Sequence, residues 1–374
     1  MHLLFVASFT GMGGAERSLI PLAKVLHRAG YDLSLLLVKP PKDDRIFRDF
    51  PGTVAMPSNS TFMGKLQALV QLNKMSANAD ILIATSEHTV TYVSWLISLW
   101  HRKPLAADVQ VCLSRRVYDD EISPIHDYLC RWIYPRIFYI RCVAEGVTQD
   151  MRSHYKVPTK NLHTIYVPFD LDAIAQAGQL PILDNLSHIF SRPTIVAVGR
   201  LTKQKRFDIA IQSFFHLHQN YNIDANLLIL GDGELRPQLE EQVQSLNLQE
   251  RVFLPGFVEN PHAYIKRSQV FLLSSDYEGL PRVLIEALAL ACPVVATDCP
   301  SGPNEILEGG KWGLLTPVAN PEAIADALAQ VLQNSELAQK LSHASLQRAK
   351  AFDTQAITQQ YETFLNQALS HQIA

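Results

Sequence analysis

Unbroken apolar runs alternate with stretches of helical spacing along the whole chain. Leu3–Ala7, Leu33–Val38 and Ile81–Ala84 are runs of the first kind. Runs this short and this apolar predict strands buried on both faces of a parallel sheet. Between them, Glu16–Ala29 repeats apolar residues at Leu19, Leu22, Ala23 and Leu26 and stops at Gly30, which predicts a helix. A second helix is expected around Met63–Ala77. Val90–Trp100 is apolar and is followed by Pro104, and Cys142–Ala144 and Leu162–Tyr166 read as later strands.

The pattern shifts over Asp172–Pro193, where Ala-Gln-Ala-Gly-Gln precedes Pro181 and a closing Ser-Arg-Pro. This stretch reads as an interdomain linker. Beyond it the alternation resumes more regularly. Strands are expected at Thr194–Val198, Asn226–Leu230, Val252–Leu254, Val270–Ser274 and Val294–Thr297. Helices are expected at Phe207–His218, Leu235–Ser245, Asn260–Arg267, Arg282–Ala291, Pro321–Gln333 and Glu336–Ala349. Asn320-Pro321 supplies a cap and a first-turn proline. Strands alternating with helices imply α/β architecture with right-handed crossovers. Two such series give two Rossmann-like, doubly wound domains facing a cleft, with boundaries near 1–175 and 176–353.

Composition narrows the reading. The chain has 374 residues, 47 % of them hydrophobic and 18 % charged, enough apolar material for two cores. The net charge is −3, so no global positive field favours nucleic acid, and none is expected as a partner. Residues 1–180 hold 19 Lys+Arg against 16 Asp+Glu, and the remainder 14 against 20, which puts the basic surface on the first half. No uncharged apolar stretch reaches the roughly 18 residues of a spanning helix, and the start reads as a buried strand, not a signal peptide. Five cysteines with no CxxC pair fit a reducing compartment, so a cytoplasmic protein is expected. The thirteen histidines lack HxxxH or HExxH spacing, and no GxSxG elbow is present.

Several loops at predicted strand ends carry chemistry. Gly11-Met12-Gly13-Gly14-Ala15-Glu16-Arg17 follows the first strand and opens the first helix. Glycines there let backbone approach a ligand, and the helix N-terminus suits a phosphate. A dinucleotide fingerprint would need glycine where Glu16 stands. Gly199-Arg200-Leu201-Thr202-Lys203-Gln204-Lys205-Arg206 places cations at a strand's C-terminal end, where such sheets bind ligands. An Arg fork and a Lys point charge suit a diphosphate, but a solvated basic loop reads the same way. Gly231-Asp232-Gly233-Glu234 is an ordinary turn with Asp232 as a cap. Glu278-Gly279-Leu280-Pro281 precedes a helix in which Glu286 sits among Val283, Leu284, Ile285, Ala287 and Leu288. A carboxylate there needs partners, and sugar or ribose hydroxyls would serve, as would backbone or an arginine. Asp170-Leu171-Asp172 has the spacing of a metal-binding acidic pair but sits at the linker.

Together these segments resemble retaining glycosyltransferases of the GT-B architecture, specifically family 4 (group 1). The matching pieces are Gly-Gly-Ala-Glu-Arg at 13–17, Val-Gly-Arg-Leu-Thr-Lys-Gln-Lys at 198–205, the two glutamates Glu278 and Glu286, and Thr-Asp-Cys-Pro-Ser-Gly-Pro-Asn-Glu-Ile-Leu at 297–307. The resemblance is strong over 190–340 and looser over 1–170. It implies that Arg200 and Lys205 hold the donor diphosphate and neutralise the leaving group. It also implies that Glu278 contacts the donor sugar, with Gly279, Leu280 and Pro281 nearby, and that Glu286 binds the ribose hydroxyls. Gly13 and Gly14 would let the first domain's loop approach the reacting centre, and Pro255–Val258, with Phe257 and Val258, would line the base. The implied donor is a nucleotide sugar, UDP by family frequency with GDP as the alternative. The implied acceptor is a glycan or lipid-linked saccharide, and no metal or other cofactor is expected. A helix at about 354–370 would cross back to the first domain.

Two positions depart from the family pattern. Gln110 stands where members often carry a histidine facing the acceptor, with His88 and Arg115 nearby but without motif support. Val167-Pro168 stands where many read Asn-Pro. Val90–Trp100 and the cluster Arg131, Trp132, Tyr134, Arg136, Phe138, Tyr139 and Arg141 mix aromatics with cations. That mixture suits contact with anionic lipid at the inner face of a membrane; apolar core with a few exposed arginines is the alternative. Two other functions remain open at this level: a non-catalytic sugar-nucleotide-binding subunit, and an epimerase or hydrolase of the same architecture.

Overall fold

The apolar runs become strands because nearly every side chain in them is buried: Leu3–Ala7, Leu35–Leu37 and Ile81–Ala84 are essentially solvent-free. The computed structural model describes residues 1–8, 14–41, 45–85, 88–110 and 124–370. They form two compact units, Met1–Phe169 with Asp353–Ala374, and Asp170–Phe352.

The first unit carries a seven-stranded sheet of β1 (His2–Ala7), β2 (Asp32–Leu37), β3 (Thr53–Ala55), β4 (Ile81–Thr85), β5 (Leu105–Val109), β6 (Tyr139–Cys142) and β7 (Leu162–Thr164). Their order is β3-β2-β1-β4-β5-β6-β7, with parallel pairings. The crossovers carry α1 (Gly14–Arg28), α2 (Phe62–Asn78), α3 (His88–His101), α4 (Pro124–Ile133) and α5 (Glu145–Ser153). Strand order runs one way from β1 through β4 and β5 to β6. Right-handed connections therefore place α2, α3 and α4 on one face.

The second unit carries α6 (Leu171–Gln179), β8 (Thr194–Val198), α7 (Phe207–Tyr221), β9 (Asn226–Leu230), α8 (Arg236–Ser245), β10 (Val252–Gly256), α9 (His262–Arg267) and β11 (Val270–Leu273). It continues with α10 (Arg282–Ala289), β12 (Val294–Thr297), α11 (Pro303–Leu307), β13 (Leu314–Thr316), α12 (Pro321–Gln333) and α13 (Ser335–Ala349). The sheet order is β10-β9-β8-β11-β12-β13, again parallel. The order reverses direction at β8, so the switch point lies between the C-terminal ends of β8 and β11. In doubly wound sheets that is where ligands bind.

The expected linker is not one. Leu171–Gln179 is helix α6, capped by Asp170, whose Oδ1 accepts from the Ala173 N–H at 2.9 Å. Ala-rich sequence is a strong helix former, and Gly178 lies so close to Leu290 that an added Cβ would stand 2.6 Å from its Cδ2. Asp184–Ser191 follows as a 3₁₀ stretch that buries Leu186 and Ile189. The whole segment belongs to the second unit, so the division falls at Phe169–Asp170 and not at 175. Asp170 acts here as a helix cap.

The chain returns at Phe352–Asp353, and α14 (Thr354–Ser370) lies in the first unit. Thr354 donates N–H and Oγ1 to the Phe169 carbonyl at 3.0 and 2.9 Å. Ile357, Tyr361, Phe364 and Leu365 enter the core with Leu3 and Phe5. Beneath Tyr361 sits a buried ion pair. Asp108 and Arg141 are register partners on β5 and β6, both about 1 % exposed, joined at 2.8 Å. Arg141 also donates to the carbonyls of Ile165 and Tyr166 at 3.0 and 2.8 Å, and stacks 5.3 Å from the Tyr361 ring. Arg141 and Tyr134 are therefore core residues, not surface members of the aromatic–cationic cluster.

Candidate functional site

The site is built on the switch point of the second unit. β8 ends at Val198, and the following loop is tied to the next strand end by Gly199 N–H to Leu230 O (3.0 Å) and Leu201 N–H to Asp232 O (3.0 Å). Gly231 makes this approach possible: its φ is +140°, and a Cβ there would lie 1.9 Å from the Gly199 carbonyl oxygen. The loop then makes a 3₁₀ turn over Lys203–Lys205 and docks on the loop after β11. Asp276 N–H donates to Gln204 O (2.9 Å), Gln204 Nε2 to Tyr277 O (2.8 Å), and Ser274 Oγ to Lys205 O (2.8 Å). Arg206 adds a clamp to Asp276 and Asp208 at 2.9 and 3.0 Å.

These contacts bring Lys205 and Glu278 together from opposite sides of the switch point. Glu278 Oε1 accepts from Lys205 Nζ at 2.6 Å and from Ser275 Oγ at 2.6 Å. The Glu278 side chain is 6 % exposed and the Lys205 side chain 19 %. Among the described residues, both of these hydrogen bonds fall on Oε1 and none is made to Oε2. The Arg200 side chain is exposed and is neither ion-paired nor hydrogen-bonded to a described residue. The charge of Arg200, Lys205 and Glu278 together is thus +1, with Arg200 the most exposed of the three.

A second loop holds Glu278 from behind. Glu278 N–H donates to Pro300 O at 3.3 Å, Ser301 Oγ to Gly279 O at 2.8 Å, and Thr297 Oγ1 to Ser275 O at 2.6 Å. Gly302 has φ +89°, and a Cβ there would stand 2.3 Å from Pro281 Cδ, so only glycine lets the two loops meet. Pro281 caps the first turn of α10, its carbonyl accepting from Leu284 N–H at 3.0 Å, and the N–H groups of Arg282 and Val283 ahead of it have no intrahelical partner. Cys299 lies against this loop, and burial followed by the Glu278 carboxylate pushes its thiol up to about 12. It therefore stays protonated near neutrality and offers no thiolate nucleophile.

Glu286 does not join Lys205. Its half-buried carboxylate lies 3.4 Å from His262 Nε2 of α9 and 3.9 Å from Arg282. The His262 ring nitrogen is buried without a hydrogen bond, the 3.4 Å approach being outside hydrogen-bond geometry. Phe257 is exposed and Val258 half-buried after β10. Gly279 and Pro281 are buried and Leu280 half-buried. Gly14 is the first residue of α1, while Gly13 and Arg115 lie outside the described residues. In the first unit Gln110 is buried at the end of β5, and its Nε2 donates to Asp108 Oδ2 at 2.9 Å. Val167 is buried. Sequence reasoning gave no functional part to Ser275, Gln204 and His262. Ser275 was legible as a hydroxyl at a strand end, whereas nothing in the sequence places His262 beside Glu286.

Two parallel α/β units, one with paired cation and carboxylate at its switch point, define a GT-B-type protein. Residues 12–173 match the family described as Glycosyltransferase Family 4, and residues 187–348 match Glycosyl transferases group 1. The chain belongs to this glycosyltransferase family. It is 32 % identical over 231 residues to N-acetylgalactosamine-N,N'-diacetylbacillosaminyl-diphospho-undecaprenol 4-alpha-N-acetylgalactosaminyltransferase of Campylobacter jejuni, across 62 % of this chain and 60 % of that protein. It is 24 % identical over 372 residues to the amylovoran biosynthesis glycosyltransferase AmsD of Erwinia amylovora, across 97 % and 99 % of the two chains. The chain spans about 60 % of the length of this Campylobacter relative and of an uncharacterized glycosyltransferase of Methanocaldococcus jannaschii, each 32 % identical to it. In fold it is similar to Anabaena Alr3699/HepE, solved in complex with UDP, with TM-score 0.84 and 19 % identity over 98 % of this chain and 100 % of that one.

Proposed function

We propose that the chain is a retaining, metal-independent glycosyltransferase. It would move a sugar from a UDP-sugar to a hydroxyl of a glycan or lipid-linked saccharide. The observation that carries this reading is the Lys205–Glu278 pair at the switch point, with the exposed Arg200 on the same loop after β8. The names of the Campylobacter and Erwinia relatives support the acceptor class, and the UDP complex of the Anabaena protein supports the nucleotide.

Each group then has a role. Arg200 and the two remaining Lys205 N–H donors bind the diphosphate. Glu278 Oε2 accepts from a hydroxyl of the donor sugar. Glu286 accepts from the ribose hydroxyls. As the sugar C1–O bond breaks, the electron pair goes to the diphosphate, and fixed cations stabilise the charge that develops there. The acceptor hydroxyl attacks C1 from the face the diphosphate leaves, and its proton passes to a phosphate oxygen. Neither a thiolate nor a carboxylate nucleophile is required.

The test is a donor screen with EDTA present. Incubation with UDP-, GDP- and ADP-sugars should release one nucleoside diphosphate, UDP by this account. Release that depends on added divalent metal overturns metal independence, and no binding of any donor overturns the reading. Glu286→Ala should weaken donor binding about tenfold, the scale of a hydrogen bond to a charged group, with a smaller effect on turnover at saturation. Calorimetric titration with UDP reads the first effect, and steady-state rates read the second.

A further inference from the structure

His262 has no part in the chemistry derived so far, yet its ring is held beside a carboxylate that has one. It opens α9, and its Nε2 is buried with no hydrogen-bond partner among the described residues, 3.4 Å from Glu286 Oε2 on α10. Arg282 lies 3.9 Å from the other oxygen, Oε1, so the two side chains flank the carboxylate. The His262 and Glu286 side chains keep 22 and 16 % of their surface exposed, which leaves a way in from solvent. A buried polar atom without a partner is costly, and in a binding site it calls for an occupant. The carboxylate keeps a proton on Nε2, because a bare ring nitrogen there would set lone pair against lone pair. An N–H therefore stands unused next to an acceptor.

The fold fixes this ring in place. Asn260 Nδ2 donates to Ala177 O at 2.8 Å, Arg267 to Gly178 O at 3.3 Å, and Lys266 Nζ to Leu290 O at 3.1 Å. Ala263, Tyr264 and Ile265 are buried. Helix α9 is thus anchored on α6 and at the C-terminal end of α10. It also directly follows the loop after β10 that carries Phe257 and Val258. The loop expected to line the base and the histidine beside Glu286 belong to one connection. The chemistry of the pair is selective. An anion fits poorly against the carboxylate. A hydroxyl fits, because its proton goes to Glu286 while its oxygen still accepts from Nε2–H. A vicinal diol brings two such hydroxyls.

We propose that His262 is a nucleotide-binding residue whose Nε2–H donates to an oxygen of the ribose diol, the diol's protons being accepted by Glu286, and that the pair selects ribonucleotides over nucleotides lacking these hydroxyls. The proposal rests on the reading of Glu286 as the ribose acceptor. Glu286 alone satisfies only the protons of the diol, and His262 satisfies an oxygen. When the hydroxyls are missing, the carboxylate and the ring N–H are both left without a ligand partner, and a site built for hydroxyls rejects an analogue without them for that reason. No bond of the ribose breaks in the transfer, so His262 contributes to binding and not to the chemical step.

Calorimetric titration with UDP and with 2′,3′-dideoxy-UDP tests it. The unaltered chain should prefer UDP by at least about tenfold. His262→Ala should weaken UDP about tenfold and leave 2′,3′-dideoxy-UDP unchanged, so that most of the preference disappears. His262→Gln, whose side-chain amide donates again, should recover part of the UDP affinity. In UDP release from the donor sugar that the screen selects, His262→Ala should raise KM and leave turnover at saturation nearly unaltered. A purely structural role would weaken both nucleotides alike. That result, an unchanged UDP affinity in His262→Ala, or equal binding of the two nucleotides by the unaltered chain overturns the proposal. These outcomes leave the nucleotide-sugar site standing as long as Lys205→Ala weakens UDP. Failure of the unaltered chain to bind UDP overturns that site, and the role of His262 with it.

Discussion

Lys205→Ala should lower turnover about 10²–10³-fold, the cost of removing one preorganised group at a developing charge. The loss has two parts. The ammonium no longer meets the leaving diphosphate. The Glu278 side chain, 6 % exposed, also keeps only Ser275 as a hydrogen-bond donor among the described residues and presents an uncompensated negative charge to an anionic ligand. The parts separate in a second variant. In Lys205→Ala/Glu278→Gln the unpaired charge is gone, so donor affinity should recover relative to Lys205→Ala, while turnover stays low. Steady-state rates and UDP titrations on the two variants check this. Equal affinity in both would mean that the pair serves packing and not the donor.

The second large effect concerns stability. Asp108→Ala leaves the Arg141 guanidinium about 1 % exposed with its carboxylate gone. Breaking a buried pair by removing one partner costs about 3–5 kcal/mol. In a domain of this size that lowers the melting temperature on the order of 10 °C. Asp108→Ala/Arg141→Met should be less destabilised than Asp108→Ala, because it buries no unpaired charge. Thermal melts of the variants decide it. A larger loss in the double variant would mean that the bonds from Arg141 to the Ile165 and Tyr166 carbonyls outweigh the ion pair.

The same pair explains part of what the sequence hid. β5, Leu105–Val109, reads Leu-Ala-Ala-Asp-Val, and a charged residue argues against a doubly buried strand. Only its register partner on β6 makes that carboxylate tolerable, and the partner is remote in sequence. β3 and β13 span three residues each, too short to carry a period. Strands β8, β9 and β12 were legible to the residue because their apolar runs end at Gly, Asp or Cys-Pro loops. Asp172–Pro193 reads as a linker from its Gly, Gln and Pro, whereas Asp170 as cap and burial of Ile174 decide for helix over Leu171–Gln179.

The site was legible in outline. Cations after β8 and carboxylates around α10 were visible as motifs, and their order along the chain identified the family. Their partners were not visible. The Lys205–Glu278 contact closes over a sequence separation of 73 residues, and Glu286 turned out to face His262 from another helix.

Calorimetric titration with UDP, on the unaltered chain and on Lys205→Ala and Glu286→Ala, tests the central claim most directly. The account predicts one saturable site, measurable without divalent metal and weakened about tenfold or more in each variant. Unchanged affinity in both variants, or no binding by the unaltered chain, would contradict the placement of the nucleotide-sugar site at the β8–β11 switch point.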